Sequence, residues 1–182
     1  MRYDGGMNRT CIACSAPINM LRSHAKFCST ACRVSHSRSK RLPEEMTTTP
    51  RWVRHDASKR PLRAADGRMA DWRSASSWAT YQDAKKSTHG VGLGFVLSDS
   101  DDIACIDVDD CVKVGKVSPE ALEIIDATPG KFLVEYSISG NGIHIWHHSG
   151  NKPGTNRVEN GVRVERYSQA RYIAVTGNRV KL

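Results

Sequence analysis

The sequence predicts an α+β fold, with a small cysteine-rich module ahead of a larger domain of strands and helices. Four of the six cysteines lie in two close pairs between positions 11 and 32. After residue 51, short apolar stretches have the two-residue period of strands and are separated by turns rich in glycine and asparagine. The stretch 118–128 begins with Ser-Pro-Glu and ends before Pro-Gly, which is the pattern of a capped helix.

Composition narrows the class of protein. With 182 residues and 39% hydrophobic content, the chain can bury one core beside a small module. No apolar run approaches the ~18 residues of a membrane span, and no signal-peptide pattern opens the chain. We therefore expect a soluble cytoplasmic protein without a membrane partner, in which cysteines stay reduced.

The basic charge is concentrated near the N-terminus. Residues 1–60 hold 12 Lys and Arg against 4 Asp and Glu, residues 61–182 hold 15 of each, and the net charge is +8. A basic N-terminal part is typical of contact with a polyanion such as nucleic acid. A solvated basic tail gives the same pattern.

Residues 1–41 are predicted to form a zinc-binding module. A Cys-x2-Cys turn at Cys11 and Cys14, and a second close pair at Cys28 and Cys32 in the first turn of a helix, supply the four thiolates of a structural zinc site. A segment this small cannot build a core alone, so the metal would supply the folding free energy. Two disulfides or unligated buried thiols are the alternatives, and a reducing compartment disfavours disulfides.

The partner of this module is open between nucleic acid and protein. The stretch KFCSTACR resembles the segment that opens the helix in small treble-clef-like zinc modules. His24 and His36 are interpreted as surface residues, because four cysteines already fill the site. Basic residues around the cysteines favour nucleic acid. They are Arg22, Lys26, Arg33, Arg38, Lys40 and Arg41.

Residues 42–50 (LPEEMTTTP) are predicted to be an irregular linker, since they contain two prolines and no apolar periodicity. Residues 51–182 form the predicted α+β domain. Its helices are expected at 74–86, capped by a serine, and at 118–128. Its strands are expected at 91–97, 102–109, 131–139, 142–148, 161–167 and 170–177.

The stretch ACIDVDDCV (104–112) places aspartates inside an apolar strand. Alternation puts Asp107 and Asp109 on one face, about 6.6 Å apart, and Ile106 on the opposite face under a helix. An ionised carboxylate in an apolar interior is costly unless it is paired or holds a metal. We predict that both aspartates bind Mg²⁺ or Mn²⁺, as in a two-metal phosphoryl-transfer site. The flanking Cys105 and Cys111 are predicted to be ordinary buried thiols.

Two later stretches add candidate residues. In SISGNGIHIWHH, Gly140 and Gly142 let backbone N–H groups approach a phosphate, and His144 can donate a hydrogen bond to it. In GVRVERYSQARYIAVTG, Glu165 is a candidate third metal ligand, and Arg171 can neutralise triphosphate charge. Taken singly, the histidine is equally a satisfied strand residue, and the glutamate a surface residue in a salt bridge.

From about Arg51 to Asn178, the sequence resembles the phage- and plasmid-encoded primase-polymerases of the archaeo-eukaryotic primase superfamily. Several motifs occur in the order in which that family has them. They are KRP (59–61), DWRSASSWATYQDA (71–84), GVGLGFVL leading to IDVDDC, SGNGIHIW, and VERY followed by RYIAVTG.

The resemblance implies an RRM-like sheet with helices on one face and the active site on the other. It implies Asp107, Asp109 and Glu165 as catalytic carboxylates that bind Mg²⁺ or Mn²⁺. It also implies Ser139, His144 and Arg171 as contacts to the phosphates of the incoming nucleotide. The implied activity is template-directed nucleotidyl transfer from dNTPs or NTPs on single-stranded DNA, in phage or plasmid replication in a bacterial host.

Members of this family usually continue into a helical domain and often a helicase domain, so we expect a helicase as a partner, either in the same protein or separate from it. A zinc module ahead of the catalytic core is not universal in the family.

Two other functions fit parts of the sequence. A zinc-containing nucleic-acid-binding replication accessory protein would need no catalytic site. A rolling-circle replication endonuclease needs two histidines at i and i+2 on one strand, together with a nucleophilic tyrosine. Here the partner position of His144 is Trp146, and His147 falls on the other face, so this pattern is incomplete.

Overall fold

Two compact units follow one another along the chain, and the boundary between them lies between Arg41 and Leu42. A computed structural model describes residues 9–39 and 41–182. The first eight residues of the predicted zinc module, Lys40 and the side chains of Arg38 and Ser39 lie outside the described part.

The first unit consists of a tight turn followed by a helix. The Ser15 amide donates to the Cys11 carbonyl at 2.8 Å and closes the turn that carries the first cysteine pair. Helix α1 spans Thr30–Ser39. The Ser29 hydroxyl accepts from the Cys32 amide at 3.1 Å at the start of this helix. Cys32 therefore lies in the first turn of the helix as predicted, whereas Cys28 precedes the helix by two residues.

The second unit is built from antiparallel sheets. Its strands are β1 (Trp52–His55), β2 (Pro61–Leu62), β3 (Gly92–Leu97), β4 (Ile103–Asp109), β5 (Val112–Lys113), β6 (Lys116–Val117), β7 (Lys131–Tyr136), β8 (Ile143–His148), β9 (Thr155–Glu159), β10 (Val162–Tyr167) and β11 (Arg171–Val175). One sheet has the order β11-β3-β1-β2, a second has the order β7-β8-β4-β10-β9, and β5-β6 form a hairpin. The helices of this unit are α2 (Glu44–Thr47), α3 (Tyr81–Lys86) and α4 (Pro119–Ala127). The α+β class is thus confirmed.

The two larger sheets pack against each other at one end. Trp52 and Phe95 from the four-stranded sheet, and Cys105 and Trp146 from the five-stranded sheet, belong to one buried cluster. The Phe95 and Trp146 rings meet edge to face, with their centroids 5.9 Å apart. Cys105 and Cys111 are both buried, as predicted.

Helix α4 covers the other face of the five-stranded sheet. It begins at Ser118, whose hydroxyl accepts from the Ala121 amide at 3.3 Å. Ile106 and Val108 of β4 share a buried cluster with Ile125 of this helix. The alternation predicted for β4 is therefore confirmed, because its aspartates lie on the face away from α4. No helix in the described residues has the length and apolar character required to span a bilayer.

Residues 74–86 form two short helices where one is predicted. A 3-10 turn spans Ala75–Ser77, and α3 begins after Thr80, whose hydroxyl accepts from the Asp83 amide at 3.1 Å. Between them, Trp78 is extended, and Ala79 exchanges backbone hydrogen bonds of 2.8 and 3.0 Å with Trp52. Pairing with a distant segment therefore interrupts the helix.

Residues 42–50 contain a helix where an irregular linker is predicted. The Met46 side chain in α2 is fully buried in the core of the second unit. The Met46 carbonyl accepts from the Trp52 indole N–H at 3.0 Å. These residues therefore belong to the second unit, as the boundary after Arg41 also indicates.

Candidate active site

A row of polar side chains crosses all the strands of the five-stranded sheet. Glu135 lies opposite His144, His144 opposite Asp107, Asp107 opposite Glu165, and Glu165 opposite Asn156. Residues that lie opposite one another in antiparallel strands point to the same face, with Cβ atoms about 4.5–5.5 Å apart. We call these five residues the polar row. The row lies on the face away from α4.

The polar row lies where the core between the two sheets ends. On one side, the next residues along the strands are buried, as in Cys105 and Trp146. On the other side, Asp109 lies opposite Arg163, and their side chains are 45% and 57% exposed. The polar row therefore lies at the border between the buried core and solvent, and its Asp107 side chain is 23% exposed.

Asp107 is the carboxylate most strongly affected by this environment. Burial raises its pKa, and the nearby charges of Asp109 and Glu165 raise it further. His144 and Lys59 partly offset the rise. The His144 Nε2 atom lies 3.8 Å from the Asp107 Oδ1 atom. Additional positive charge on this face would therefore favour the ionised form of Asp107.

Glu165 is held by a set of donors. Its carboxylate accepts hydrogen bonds of 2.8 Å from Asn156, 2.9 Å from Arg163 and 2.8 Å from the Tyr167 hydroxyl. The Arg171 guanidinium lies 3.8 Å from Glu165 Oε2 and 4.5 Å above the Tyr167 ring. Glu165 is therefore in a salt bridge, which is the alternative role that the sequence left open for it. It also lies beside Asp107 on the sheet.

The three predicted metal-binding carboxylates share one face but do not converge on a single point. Within the described ranges, the one group of three or more potential metal ligands whose atoms lie within 4.8 Å of one another is the cysteine cluster described below. The Arg163 guanidinium lies between Asp109, at 3.8 Å, and Glu165, at 2.9 Å, and neutralises part of their charge. The donor set consists of carboxylate oxygens, which fits Mg²⁺ or Mn²⁺. For Glu165 to bind such an ion, its salt bridge with Arg163 would have to break.

Glu135 fixes the orientation of His144. It is fully buried and accepts from His144 Nδ1 at 3.4 Å and from the Trp146 indole N–H at 3.0 Å. Its other oxygen accepts from the Thr176 amide and hydroxyl, both at 3.1 Å, and from the Gly177 amide at 2.6 Å. Glu135 therefore holds the Nδ1 side of the imidazole, and the Nε2 atom faces Asp107.

Glu135→Gln is expected to impair the site through His144. The amide places an NH₂ group among donors, so the imidazole loses its fixed position. For the nucleotide-dependent activity that the sequence predicts, we expect catalytic efficiency to fall by about 10- to 100-fold, the usual effect of removing a carboxylate that orients a functional histidine. Thr176→Val is the matched control, because it removes a donor from the oxygen remote from His144. An equal loss in the two variants, in proportion to lost stability, would make Glu135 a purely structural residue.

A cavity of about 370 Å³ adjoins the polar row. Its lining includes Lys59, His144 and Arg171, together with the aromatic rings of Trp72 and Tyr172. Its volume lies in the range of about 300–1,000 Å³ that small-molecule sites occupy. The predicted phosphate contacts His144 and Arg171 are thus brought to one cavity.

Ser139 is placed differently from the other predicted contacts. It is exposed in the turn between β7 and β8, and its hydroxyl lies 3.1 Å from that of Ser137. Ser137 and Ile138 line the cavity, whereas Ser139 does not. Gly142 in this turn packs tightly, because a Cβ atom there would lie 2.7 Å from the Val108 carbonyl oxygen.

A separate cavity of about 600 Å³ lies on the α4 face of the same sheet. Its walls include Ile106, His147 and Arg166. None of the predicted catalytic or nucleotide-binding residues lines it, so it is separate from the candidate site.

Several residues of the site are not singled out by the sequence motifs. Glu135 carries the same signal as Asp107, a carboxylate inside an apolar strand. Lys59 lies in the KRP motif, but only the fold brings it to the cavity. Asn156 lies opposite Glu165 because the two-residue turn Asn160-Gly161 joins β9 to β10, and Arg163 lies two residues before Glu165 on β10.

The four N-terminal cysteines form a cluster that can hold a zinc ion. Their sulfur atoms lie within 4.8 Å of one another, with 3.5 Å between Cys14 and Cys28 and 3.4 Å between Cys28 and Cys32. A tetrahedral zinc with Zn–S bonds of about 2.3 Å separates its sulfurs by roughly 3.8 Å. The chain's six cysteines are free thiols, so the cluster contains no disulfide. His24 and His36 are not part of the cluster.

The electrostatics of the cluster also suit a cation. Burial raises the pKa of the Cys11 thiol, but backbone N–H groups of Cys28, Ala13 and Cys14 outweigh it and lower the pKa to about 6. The neighbouring sulfurs of Cys32 and Cys14 raise the pKa of Cys28 to about 12. A bound cation would favour the thiolate form of Cys28 by replacing its proton.

We expect the purified protein to contain one zinc ion per chain, bound by the four cysteines. Cys28→Ser should remove most of the zinc and unfold the first unit, because the metal supplies its folding free energy. Elemental analysis and circular dichroism measure both effects. His24→Ala, an exposed position in the same unit, should keep its zinc. Loss of zinc in that control, or wild-type protein without zinc, would contradict the site.

No protein-family model matches this chain, and no curated protein matches it. The family resemblance therefore stays a prediction from the ordered motifs.

Proposed function

We propose that the second unit is the catalytic core of a metal-dependent primase-polymerase, which extends a DNA chain along a single-stranded template. The observation that carries this proposal is the polar row. Three strands place Glu165, Asp107 and His144 side by side on one open face, with Asp109 one step further along β4. The RRM-like arrangement of the family is consistent with a sheet that has a helix on one face and the carboxylates on the other.

In this reaction, the 3′-hydroxyl oxygen of the growing chain bonds to the α-phosphorus of the incoming nucleotide and gives up its proton to solvent. The bond from that phosphorus to the bridging oxygen breaks, and pyrophosphate leaves with the electron pair. Asp107, Asp109 and Glu165 would hold divalent ions. Those ions, when bound, stabilise the charge on the attacking and leaving oxygens.

The cavity beside the polar row would receive the nucleotide. Lys59 and Arg171 supply positive charge there, and His144 presents its Nε2 atom from the same lining. Triphosphate recognition needs several positive groups in fixed positions. Glu135 supplies the fixed position for His144, and Tyr167 supports Arg171 through its ring.

The zinc module would hold the template or a protein partner through its basic surface, and a helicase would open duplex DNA ahead of the enzyme. Both proposals rest on charge and on the family resemblance.

The decisive experiment is incorporation of a labelled dNTP on a primed single-stranded template with Mg²⁺ or Mn²⁺. A second reaction without primer distinguishes priming from extension, and a third with NTPs defines the substrate. Product whose sequence follows the template supports the proposal. Wild-type protein that is folded and zinc-loaded but makes no product in any of these reactions overturns it.

A non-catalytic nucleic-acid-binding accessory protein is the second candidate. The carboxylates that do not converge, and the Arg163 guanidinium between two of them, favour it. This candidate predicts binding of single-stranded DNA without synthesis. The same assays, read together with a binding titration, separate the two functions.

A further inference from the structure

Three cavities form a series over the four-stranded sheet. The first, of about 850 Å³, and the second, of about 180 Å³, share Trp78 in their linings. The second and the third, of about 370 Å³, share Trp72. The third is the cavity beside the polar row. We call this series the tryptophan groove.

Both tryptophans are partly exposed. They pack by one side on Val53 and Val96, on the outer face of the four-stranded sheet. The Arg73 guanidinium lies 4.4 Å above the Trp72 ring, and Arg73 lines the second cavity. An aromatic ring and a guanidinium plane are the two surfaces on which unpaired nucleobases stack.

Two residues that line the first cavity, Arg51 and Trp78, have buried donor atoms without a hydrogen-bond partner. In the part of the chain that the structure describes, three buried side-chain polar atoms lack a hydrogen-bond partner: Arg51 Nε, Arg51 Nη1 and Trp78 Nε1. All three belong to residues that line this cavity, and Arg51 is only 3% exposed. Each of these atoms is buried and faces protein, so Arg51 contributes its positive charge to the cavity wall, and Asp101 neutralises part of that charge.

The charge of the surrounding segment suits a nucleic-acid strand. Residues 51–73 contain seven Lys and Arg against three Asp, a difference of four, whereas residues 61–182 as a whole are balanced. The Arg60 and Arg68 side chains are 67% and 81% exposed. An apolar peptide would gain nothing from this charge, whereas a phosphate backbone would.

We propose that the tryptophan groove binds single-stranded DNA, with bases stacked on Trp72 and Trp78, and leads the template to the polar row. This inference rests on the proposed function for its direction, because the groove ends at the candidate nucleotide cavity. Binding itself does not require catalysis. The tryptophan groove would be a DNA-binding surface of the second unit, besides the one predicted for the zinc module.

The test is a titration of the full chain with a fluorescently labelled oligothymidylate at several salt concentrations. Trp72→Ala should weaken binding by about 5- to 150-fold, the range measured for loss of one base–aromatic stack. Arg73→Gln should make the salt dependence shallower by about one phosphate contact, since fewer counterions are released. Arg157→Gln is the matched control, because it removes an exposed arginine from edge strand β9, and it should change little.

Intrinsic fluorescence gives a second readout. Trp52 and Trp146 are fully buried, so quenching by DNA reports Trp72 and Trp78. Wild-type protein should be quenched by the unlabelled oligonucleotide, and Trp72→Ala should lose a large part of the quenching.

The outcomes separate the two proposals. DNA binding that depends on Trp72 and Arg73, without synthesis by the wild type, supports the groove and overturns the polymerase. Synthesis with unchanged DNA affinity in both variants overturns the groove and leaves the polymerase. If Trp72→Ala fails to fold, the DNA affinity and salt dependence of Arg73→Gln, a change at an exposed residue, decide between these outcomes. Wild-type protein that does not bind single-stranded DNA overturns the groove proposal.

Discussion

Asp107→Asn is expected to lower template-directed nucleotide incorporation by at least ~100-fold, the scale at which loss of an electrostatic partner of the transition state is felt. Asn keeps the shape of Asp but removes the charge that divalent ions need. Asp107 is the central residue of the polar row, with His144 on one neighbouring strand and Glu165 on the other. Among the residues that the structure describes, no other carboxylate lies between these two to replace its charge. Single-turnover incorporation with Mg²⁺ or Mn²⁺ measures the loss.

The matched control is Asp110→Asn. Asp110 follows directly after β4, is exposed, and has a φ of 50°. Asn tolerates this left-handed conformation as well as Asp does. The two variants therefore make the same chemical change three positions apart, and only Asp107 lies in the polar row. Near wild-type synthesis by Asp107→Asn, or an equal loss in Asp110→Asn, would remove the catalytic role of the row.

The same variant should be more stable than the wild type when no Mg²⁺ or Mn²⁺ is added. The pKa of Asp107 is raised above its ordinary value of 3.8 in the folded protein, so its ionised form destabilises the fold at neutral pH. This cost vanishes as the pH falls through the raised pKa. The difference in Tm between Asp107→Asn and wild type should therefore be largest at neutral pH and shrink towards pH 4.

Part of this site is predictable from local sequence, because strand alternation and the cost of buried charge are local rules. They place Asp107 and Asp109 on one face and Ile106 on the other. Applied to β7, the same rules would have singled out Glu135 as well. Both remaining links, from Asn156 to Glu165 and from Glu135 to His144, join strands that are consecutive in the chain. Asn160-Gly161 forms the two-residue turn between β9 and β10, with positive φ at both residues, and such a turn is a local signal for the pairing that puts Asn156 opposite Glu165. The turn between β7 and β8 is longer, so the register that puts Glu135 opposite His144 is set by the fold.

Strands and helices set by distant contacts are equally hard to predict. Strand β9 (TNRVE) has mostly exposed residues and no apolar alternation, so only its ladder with β10 makes it a strand. The 74–86 segment has a helical composition, yet the bridge between Ala79 and Trp52 breaks it. In both cases, tertiary pairing outweighs local propensity.

The assignment of residues to the two faces of β4 can be tested on the face that packs against α4, opposite the polar row. Val108 lies between Asp107 and Asp109 in the chain, but its side chain is fully buried. Its neighbours on the adjacent strands are Ile143 and Val164, which are also fully buried. Ile106 differs, because it lies opposite Arg166 and lines the cavity beside α4.

Val108→Asp is therefore expected to unfold the second unit. An uncompensated buried charge costs about 3–5 kcal/mol, and the lost burial of valine costs about 1.5–3 kcal/mol more. Their sum is comparable with the whole stability of a domain, about 5–15 kcal/mol. Circular dichroism and thermal unfolding should show loss of the cooperative transition. Ile106→Asp should be less destabilising, because Arg166 lies beside the new carboxylate. Val108→Thr, which keeps the shape without the charge, should cost only about 1–3 kcal/mol for its buried hydroxyl. A Val108→Asp protein with a wild-type melting curve would place residue 108 on the open face, and with it would move Asp107 and Asp109 into the core.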